Sequence, residues 1–199
     1  VLGRVVEVVS GLTLDSYMDE NIFQPLGMVD TGFSVPDGQE SRFASCYFPQ
    51  GENKQAALLD DAQRSPYLRE PIGLSGGGGL VSTLADYHRF TQALRNNGVL
   101  NEQRIIGRKT LQFMTRNHLP GGVDLTQYGR PLFSETTYDG VGFGLGFSVV
   151  VDPTKAKVLS QEGEYGWGGA ASTAFWVDPV EDLTVIFLTQ LLPSSTHPI

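Results

Sequence analysis

The sequence predicts an α+β fold, in which helices pack on an antiparallel β-sheet. Residues 1–140 show mostly helical apolar spacing interrupted by loops, whereas residues 141–192 consist of short β-branched and aromatic runs separated by turns. Helices followed by sheet strands are typical of this architecture. With 199 residues, 40% of them hydrophobic, the chain is long enough to bury a core as one domain or a large part of one.

The first helices are predicted from apolar spacing. Apolar residues at positions 1, 5 and 8 and at 2, 6 and 9 form a helical stripe, which Ser10-Gly11 ends. Thr13 is placed to cap a second helix, and Pro25 is expected to end it. Between residues 30 and 71 the periodicity fades, which predicts a long excursion over the surface.

The most regular helix is predicted after Thr83, which forms a start resembling a capping box with Asp86. Apolar residues then recur at helical spacing until Asn97-Gly98 provide a stop. A further helix is expected over residues 108–117, and residues 129–131, Gly-Arg-Pro, mark a loop.

The sheet is predicted from the change of pattern after residue 141. Four β-branched or aromatic runs, with Asp-Pro turns among them, indicate an antiparallel meander. The third run is entered through four glycines, at positions 163, 166, 168 and 169. The four runs cover residues 147–151, 156–160, 173–177 and 183–189.

Composition limits the classes of partner. Lys and Arg number 14 against 22 Asp and Glu, the net charge is -8 and no basic cluster stands out, so nucleic acid is not a predicted partner. Apolar runs such as residues 183–188 fall short of the roughly 18 residues that span a bilayer. Cys46, the single cysteine, cannot form an internal disulfide and is expected to be a small buried or half-buried residue rather than a nucleophile. No targeting signal is visible, so no compartment is predicted.

Ser75 is a candidate nucleophile, because the segment Gly-Leu-Ser-Gly-Gly at 73–77 matches the G-x-S-x-G elbow of α/β-hydrolases. The context disfavours this interpretation. An elbow requires a buried strand directly before the serine and a helix directly after it, whereas Pro71 precedes and further glycines separate Ser75 from the helix start at Thr83. A turn with positive φ or close backbone approach explains the glycines better.

No cofactor or metal ion is predicted. The glycines at 76–79 are not followed by the Gly-Lys-Ser/Thr of a phosphate-binding loop. His88, His118 and His197 are far apart in sequence, and none has a second ligand at metal-binding spacing. The acidic pairs at 60–61 and at 162 and 164 are typical of solvated loops.

The most informative segment is Gly163–Ala170, the glycine-rich entry to the third run, which contains Trp167-Gly168-Gly169. Glycines leave a strand backbone uncovered, so its N–H and C=O groups can reach a ligand lying alongside. A backbone N–H presented there could stabilise the negative oxygen of a tetrahedral intermediate, an effect of roughly 3 kcal/mol per donor. The same glycines fit a β-bulge beside a core tryptophan, and composition leaves both interpretations open.

Four segments carry a family resemblance: Val1–Gly11, Ile22–Met28 with Asp30-Thr31, Gly77–Thr83 with Asp86, and Trp167-Gly168-Gly169 with Asp178-Pro179. In order and spacing they resemble the C-terminal half of class C serine β-lactamases, DD-peptidases and related esterases. The resemblance spans nearly all of the chain. It implies a β-lactamase/transpeptidase-like fold that is incomplete at both ends, with residues 1–199 forming the C-terminal part of one domain.

The resemblance implies three catalytic elements, of which one falls inside the chain. The Ser-x-x-Lys nucleophile and the Tyr-x-Asn-type element do not occur, whereas Trp167-Gly168-Gly169 occupies the position of the Lys-Thr-Gly strand. By this register the three residues bind substrate, and the N–H of Ala170 contributes to the oxyanion hole. Trp167 replaces the cation that would bind the carboxylate of a β-lactam or peptide, so ester substrates are favoured.

The resemblance therefore implies part of a serine hydrolase that forms an acyl-enzyme, and the chain alone is predicted to be inactive. Faces exposed by missing segments would favour self-association. The alternative is a non-catalytic ligand-binding module of the same fold. A Tyr shortly before Val1 and a Ser-x-x-Lys further upstream would favour the enzyme.

Overall fold

The protein is an α+β structure, as predicted. A computed structural model describes residues 1–128 and 138–196. Helices pack on one face of a five-stranded antiparallel sheet, and two small two-stranded hairpins lie within the preceding helical region. The loop predicted at residues 129–131 lies outside the described residues.

The N-terminal helices form where apolar spacing predicted them. Helix α1 spans Leu2–Ser10, and Gly11 ends it in the left-handed conformation at φ 76°. Pro25 does not end the second helix as expected. A π-helical turn widens the backbone just before the proline ring, which relieves the clash with the preceding turn. The segments are α2 (Leu14–Met18), the π-helical turn (Asp19–Phe23) and α3 (Gln24–Leu26).

The surface excursion after residue 30 contains a hairpin that the apolar pattern did not predict. Strands β1 (Cys46–Gln50) and β2 (Gln55–Asp60) pair antiparallel. Tyr47 also bonds to the end of the chain: its N–H donates to the carbonyl of Gln190, and its carbonyl accepts from the N–H of Leu192, each at 2.9 Å. The excursion is therefore fastened to residues 190–192.

Helix α4 spans Leu84–Arg95 and begins at the predicted cap. The hydroxyl of Thr83 accepts from the N–H of Asp86 at 3.3 Å. The carboxylate of Asp86 turns away from the capping box and accepts from the N–H of Asp30 at 2.7 Å and the hydroxyl of Thr31 at 3.0 Å. This buried carboxylate joins α4 to the segment that follows α3.

Helix α5 spans Arg108–Met114 and is shorter than the predicted 108–117. It ends early because its last carbonyl bonds to the loop between the first two sheet strands, where the N–H of Leu145 donates to Met114 O at 2.8 Å. The side chain of Asn117 then accepts from the N–H of Phe143 at 3.2 Å. The remaining short elements are β3 (Val99–Leu100), β4 (Gln103–Arg104) and α6 (Leu125–Tyr128).

The main sheet is an antiparallel meander, which confirms the predicted arrangement. One predicted strand, at 156–160, is wrong. Asp152 accepts from the N–H of Lys155 at 3.1 Å and caps a helical turn, α7 (Pro153–Ala156), after which Lys157 adopts φ 58°. The strands in spatial order are β5 (Val141–Phe143), β6 (Ser148–Val150), β7 (Tyr165–Gly169), β8 (Thr173–Asp178) and β9 (Leu183–Phe187).

The core lies between α4, α5 and one face of the sheet. Leu94 of α4 belongs to this cluster, and Ala93, the neighbouring residue, packs into a second cluster with the α3 region. Burying each large apolar side chain contributes roughly 1.5–3 kcal/mol. The first cluster also contains Leu111, Phe147, Val149, Tyr165, Phe175 and Val177, and the second contains Phe23, Leu26 and Met28.

Candidate functional site

Strand β7 has one open edge at its C-terminal end. Trp167, Gly168 and Gly169 all pair with β8, opposite Phe175, Ala174 and Thr173. On the other side, β6 pairs with β7 only at Tyr165 and Gly166. Within the described ranges, residues 167–169 therefore present a strand edge without a partner strand, to which an extended ligand can bond.

The β-bulge interpretation of the glycine-rich strand is wrong. The register between β7 and β8 runs without a shift from Tyr165 to Gly169. Gly166 is required by packing, because an added Cβ would collide with the carbonyl oxygen of Phe175. At Gly168 the nearest atom to an added Cβ is Thr173 O at 3.5 Å, an ordinary contact. Packing among the described residues therefore does not explain the glycine at 168.

Trp167 stands at the head of the open edge in an aromatic setting. Its indole lies nearly parallel to the ring of Tyr138, with planes 12° apart and centroids 6.5 Å apart. Phe143 meets the indole edge to face at 4.9 Å. The indole remains 42% exposed. The residue therefore offers a fixed, neutral aromatic surface beside the edge.

Ala170 begins the turn between β7 and β8. The turn is closed by the N–H of Ser172, which donates to Gly169 O at 3.1 Å, so Ala170 is the first of its two central residues. Ala170 is exposed. The described part of the chain gives its N–H no hydrogen-bond acceptor. This N–H is thus available to an oxygen placed beside the open edge.

Leu191 holds this turn through two hydrogen bonds that no sequence pattern indicated. Ser172 is buried, adopts φ 59° and donates its hydroxyl hydrogen to Leu191 O at 2.7 Å. The N–H of Leu191 in turn donates to Ala171 O at 3.2 Å. Residues 171 and 191 are far apart in sequence, and only the tertiary structure brings them together.

Burial raises the pKa of two groups at the start of β7, the buried Tyr165 and the half-buried Glu164. Burial raises the pKa of Tyr165 to about 12. Burial also raises the pKa of Glu164, partly offset by a hydrogen bond with Ser160. Tyr165 is therefore a protonated phenol at neutral pH and packs within the core behind the edge.

Ser75 does not have the geometry of a nucleophile elbow in the described structure. No strand leads into it in the described structure, and the next helix begins only at Leu84. Its hydroxyl oxygen accepts from the N–H of Gly77 at 3.2 Å. Gly76 is explained by packing, since an added Cβ would lie 2.8 Å from the backbone nitrogen of Gly3 in α1.

The histidines are not brought together. His88 is exposed on α4, and the ring of His118 bonds through Nε2 to Phe113 O at 2.7 Å. His197 lies outside the described residues. Across residues 1–128 and 138–196, no three His, Cys, Asp or Glu side chains cluster as metal ligands. None of the helices in those ranges combines the length and apolarity of a bilayer span.

Comparison with known proteins places this geometry in context. The sequence model of the family described as Beta-lactamase matches residues 1–198. The protein Rv1367c of Mycobacterium tuberculosis is 33% identical over 97% of the chain and 47% of its own length. Esterase EstB of Burkholderia gladioli is 31% identical over 95% of the chain and 47% of its own length.

A solved structure shares the fold. A mutant of simvastatin synthase from Aspergillus terreus superimposes with a TM-score of 0.80 at 21% identity, over 97% of this chain and 48% of that one. The chain thus spans about half the length of the relatives and the structure that it matches.

Proposed function

Because the chain belongs to the Beta-lactamase family, we propose that it forms the sheet wall of the active site of a serine hydrolase. In this proposal Trp167, Gly168 and Gly169 line the substrate, and the N–H of Ala170 donates to the oxyanion. The observation that carries the proposal is the open edge of β7, which ends at an N–H with no acceptor in the described structure.

The proposed reaction is acyl transfer to a serine that lies outside this chain. The serine oxygen attacks the carbonyl carbon of an ester, and its proton passes to a neighbouring base. The carbonyl oxygen becomes negative, and the Ala170 N–H stabilises it. Collapse of the intermediate releases the alcohol, which takes up the proton, and water then attacks the acyl-enzyme and releases the acid.

The aromatic surface of Trp167 supports esters as the substrate class. A cation at this position would bind a carboxylate by a charge-assisted hydrogen bond, and an indole cannot. Neutral acyl or alcohol groups can instead lie against the exposed indole, which Tyr138 and Phe143 hold in place. The similarity to a protein named as an esterase supports the same choice.

A test of the proposal removes one N–H from the full-length gene product. Ala170→Pro eliminates the donor, and proline is accepted at the first central position of a turn. Ala170→Ser keeps the N–H and serves as the control. Hydrolysis of p-nitrophenyl butyrate is measured together with the initial burst of p-nitrophenol.

The expected result is a loss of about 10²–10³ in kcat for Ala170→Pro and little change for Ala170→Ser. Unchanged kcat in a folded Ala170→Pro protein would remove Ala170 from the oxyanion hole. A full-length protein that shows no burst and no turnover would instead support the ligand-binding module. In that case the bound ester is detected by calorimetry without hydrolysis.

A further inference from the structure

We propose that Ser172 is a positioning residue that fixes the Ala170 N–H for the oxyanion by tying the β7–β8 turn to residues 190–192. The inference rests on the function proposed above. It assigns a role to a serine that does not itself touch the substrate. Three structural facts carry it, namely the backbone conformation of Ser172, its buried hydrogen bond and the second bond from Leu191.

The conformation of Ser172 is unusual for its residue type. At φ 59° the left-handed region favours glycine, and a glycine is the common choice at this point of a short hairpin turn. A serine in this backbone conformation is strained relative to glycine, and a hydrogen bond of its side chain can offset that cost in free energy. Its hydroxyl, buried with the rest of the residue at 6% exposure, donates to Leu191 O at 2.7 Å.

A second hydrogen bond fixes the same turn from the opposite direction. The N–H of Leu191 donates to Ala171 O at 3.2 Å. The turn is thus attached to Leu191 through both the carbonyl of Ala171 and the side chain of Ser172. Ala170 lies just before these two attachments and just after the paired residue Gly169, so the chain is held on both sides of it, while its own N–H has no acceptor among the described residues.

The attachment point is itself anchored. Residues 190 and 192 bond to both backbone groups of Tyr47 in strand β1, at 2.9 Å each. The β1–β2 hairpin therefore backs the segment that holds the turn. An oxyanion donor must lie about 2.7–3.1 Å from the developing charge, so a donor on a loosely held turn would lose much of its effect.

Ser148, in the same sheet, is the matched control that separates a positioning role of the Ser172 hydroxyl from a purely structural one. Ser148 donates its hydroxyl hydrogen to Gly166 O at 2.8 Å, and Gly166 lies in β7, four residues before Ala170. Each serine donates its hydroxyl hydrogen to a backbone carbonyl, Ser148 to Gly166 in β7 and Ser172, from the β7–β8 turn, to Leu191. They differ in that only the Ser172 bond restrains the turn that carries Ala170.

The experiment uses the full-length gene product with the variants Ser172→Gly, Ser172→Ala and Ser148→Ala. Glycine removes the hydroxyl and tolerates positive φ, whereas alanine removes the hydroxyl and keeps the Cβ atom. For each protein we measure Tm, kcat and KM for p-nitrophenyl butyrate, and the inhibition constant of phenylboronic acid. The boronate forms an adduct with the nucleophilic serine proposed outside this chain, and that adduct carries an oxygen in the oxyanion position.

We expect both Ser172 variants to lose about tenfold in kcat, with KM changed less than about twofold, and to bind the boronate correspondingly less tightly. Ser148→Ala is expected to change kcat less than about twofold. A purely structural hydroxyl would lower Tm without this split between kcat and KM.

Equal kcat losses in the Ser172 and Ser148 variants, or no loss in Ser172→Gly, would overturn the inference. So would the failure of both Ser172 variants to fold, because the residue would then be structural. An inactive wild-type protein is a different outcome: it overturns the proposed function, on which this inference depends.

Discussion

The indole of Trp167 and the phenol ring of Tyr138 lie nearly parallel, with their planes 12° apart and their centroids 6.5 Å apart. The pair gives the open edge of β7 a neutral aromatic surface, and in the proposed register this surface stands at the position of the cation of a Lys-Thr-Gly strand. Substrate choice should therefore depend on the residue at 167, since a charge at this point acts directly on any carboxylate beside the open edge.

Trp167→Lys is expected to shift selectivity towards esters that carry a carboxylate. The ratio of kcat/KM for an anionic ester to that for its neutral counterpart should rise about tenfold or more, because a charge-assisted hydrogen bond replaces an apolar contact. Trp167→Phe keeps an uncharged ring and is the control. If both variants give the same ratio, residue 167 does not select substrates by charge.

Two of the three glycines of β7, Gly166 and Gly168, should respond differently to an added methyl group. Gly166→Ala forces a Cβ against Phe175 O and to 2.8 Å from Trp176 Cα, and should destabilise the protein by about 1–3 kcal/mol. Among the described residues, the added Cβ of Gly168→Ala meets nothing closer than Thr173 O at 3.5 Å, and the variant should be neutral or slightly stabilising. Urea unfolding of the two variants checks the difference, and equal losses would contradict it.

Local patterns predicted the elements whose signals lie within a few residues. The cap at Thr83, the stop at Gly11 and the meander after residue 141 all depend on short-range spacing, and all formed. The predicted strand at 156–160 is wrong for a local reason, since Asp152 caps a helical turn that includes Ala156, and the run has only one β-branched residue, Val158.

The candidate site was predicted only in part. The glycines around Trp167 indicated an uncovered backbone, and the structure places an open edge there. Two features depend on distant residues and left no local signal. These are the stack of Tyr138 on Trp167 and the bond between Ser172 and Leu191, both of which require the chain to fold before the partners meet.

Asp86 should contribute far more to stability than a surface carboxylate. It is 1% exposed and accepts from the N–H of Asp30, the hydroxyl of Thr31 and, at 2.8 Å, the guanidinium of Arg89. Asp86→Ala leaves these donors without their acceptor and should cost about 3 kcal/mol in the free energy of unfolding.

Asp182 provides the matched control for this prediction. Its ion pair with Arg95 spans 3.3 Å, but its side chain is 77% exposed. Asp182→Ala should therefore cost less than about 1 kcal/mol. Chemical denaturation of both variants under one buffer gives the comparison, and similar losses would show that the Asp86 network is not a main source of stability.

The buried tyrosines should make the fold sensitive to alkali. Burial raises the pKa of Tyr165 and of Tyr87 to about 12, against about 10 in an unfolded chain. The unfolded state then loses these protons first, so the stabilisation is complete below about pH 10 and is lost as the pH rises towards about 12. Tyr165→Phe should weaken this loss. Identical alkaline unfolding profiles for the variant and the wild type would contradict the prediction.

The 199-residue chain alone is expected to form no acyl-enzyme, because its one serine in a nucleophile-like motif lacks the required surroundings. Ser75 follows no strand in the described structure, and its hydroxyl oxygen accepts only the N–H of Gly77 there. A serine without a neighbouring base is a weak nucleophile.

Incubation of the chain with p-nitrophenyl butyrate should therefore give no stoichiometric burst of p-nitrophenol. If a burst appears, the Ser75→Ala variant decides its origin. Loss of the burst in that variant would make Ser75 the nucleophile and would contradict the assignment of the chemistry to a serine outside the chain. If the burst persists in Ser75→Ala, another residue of this chain is the nucleophile. We would then expect that residue to lie next to the open edge of β7.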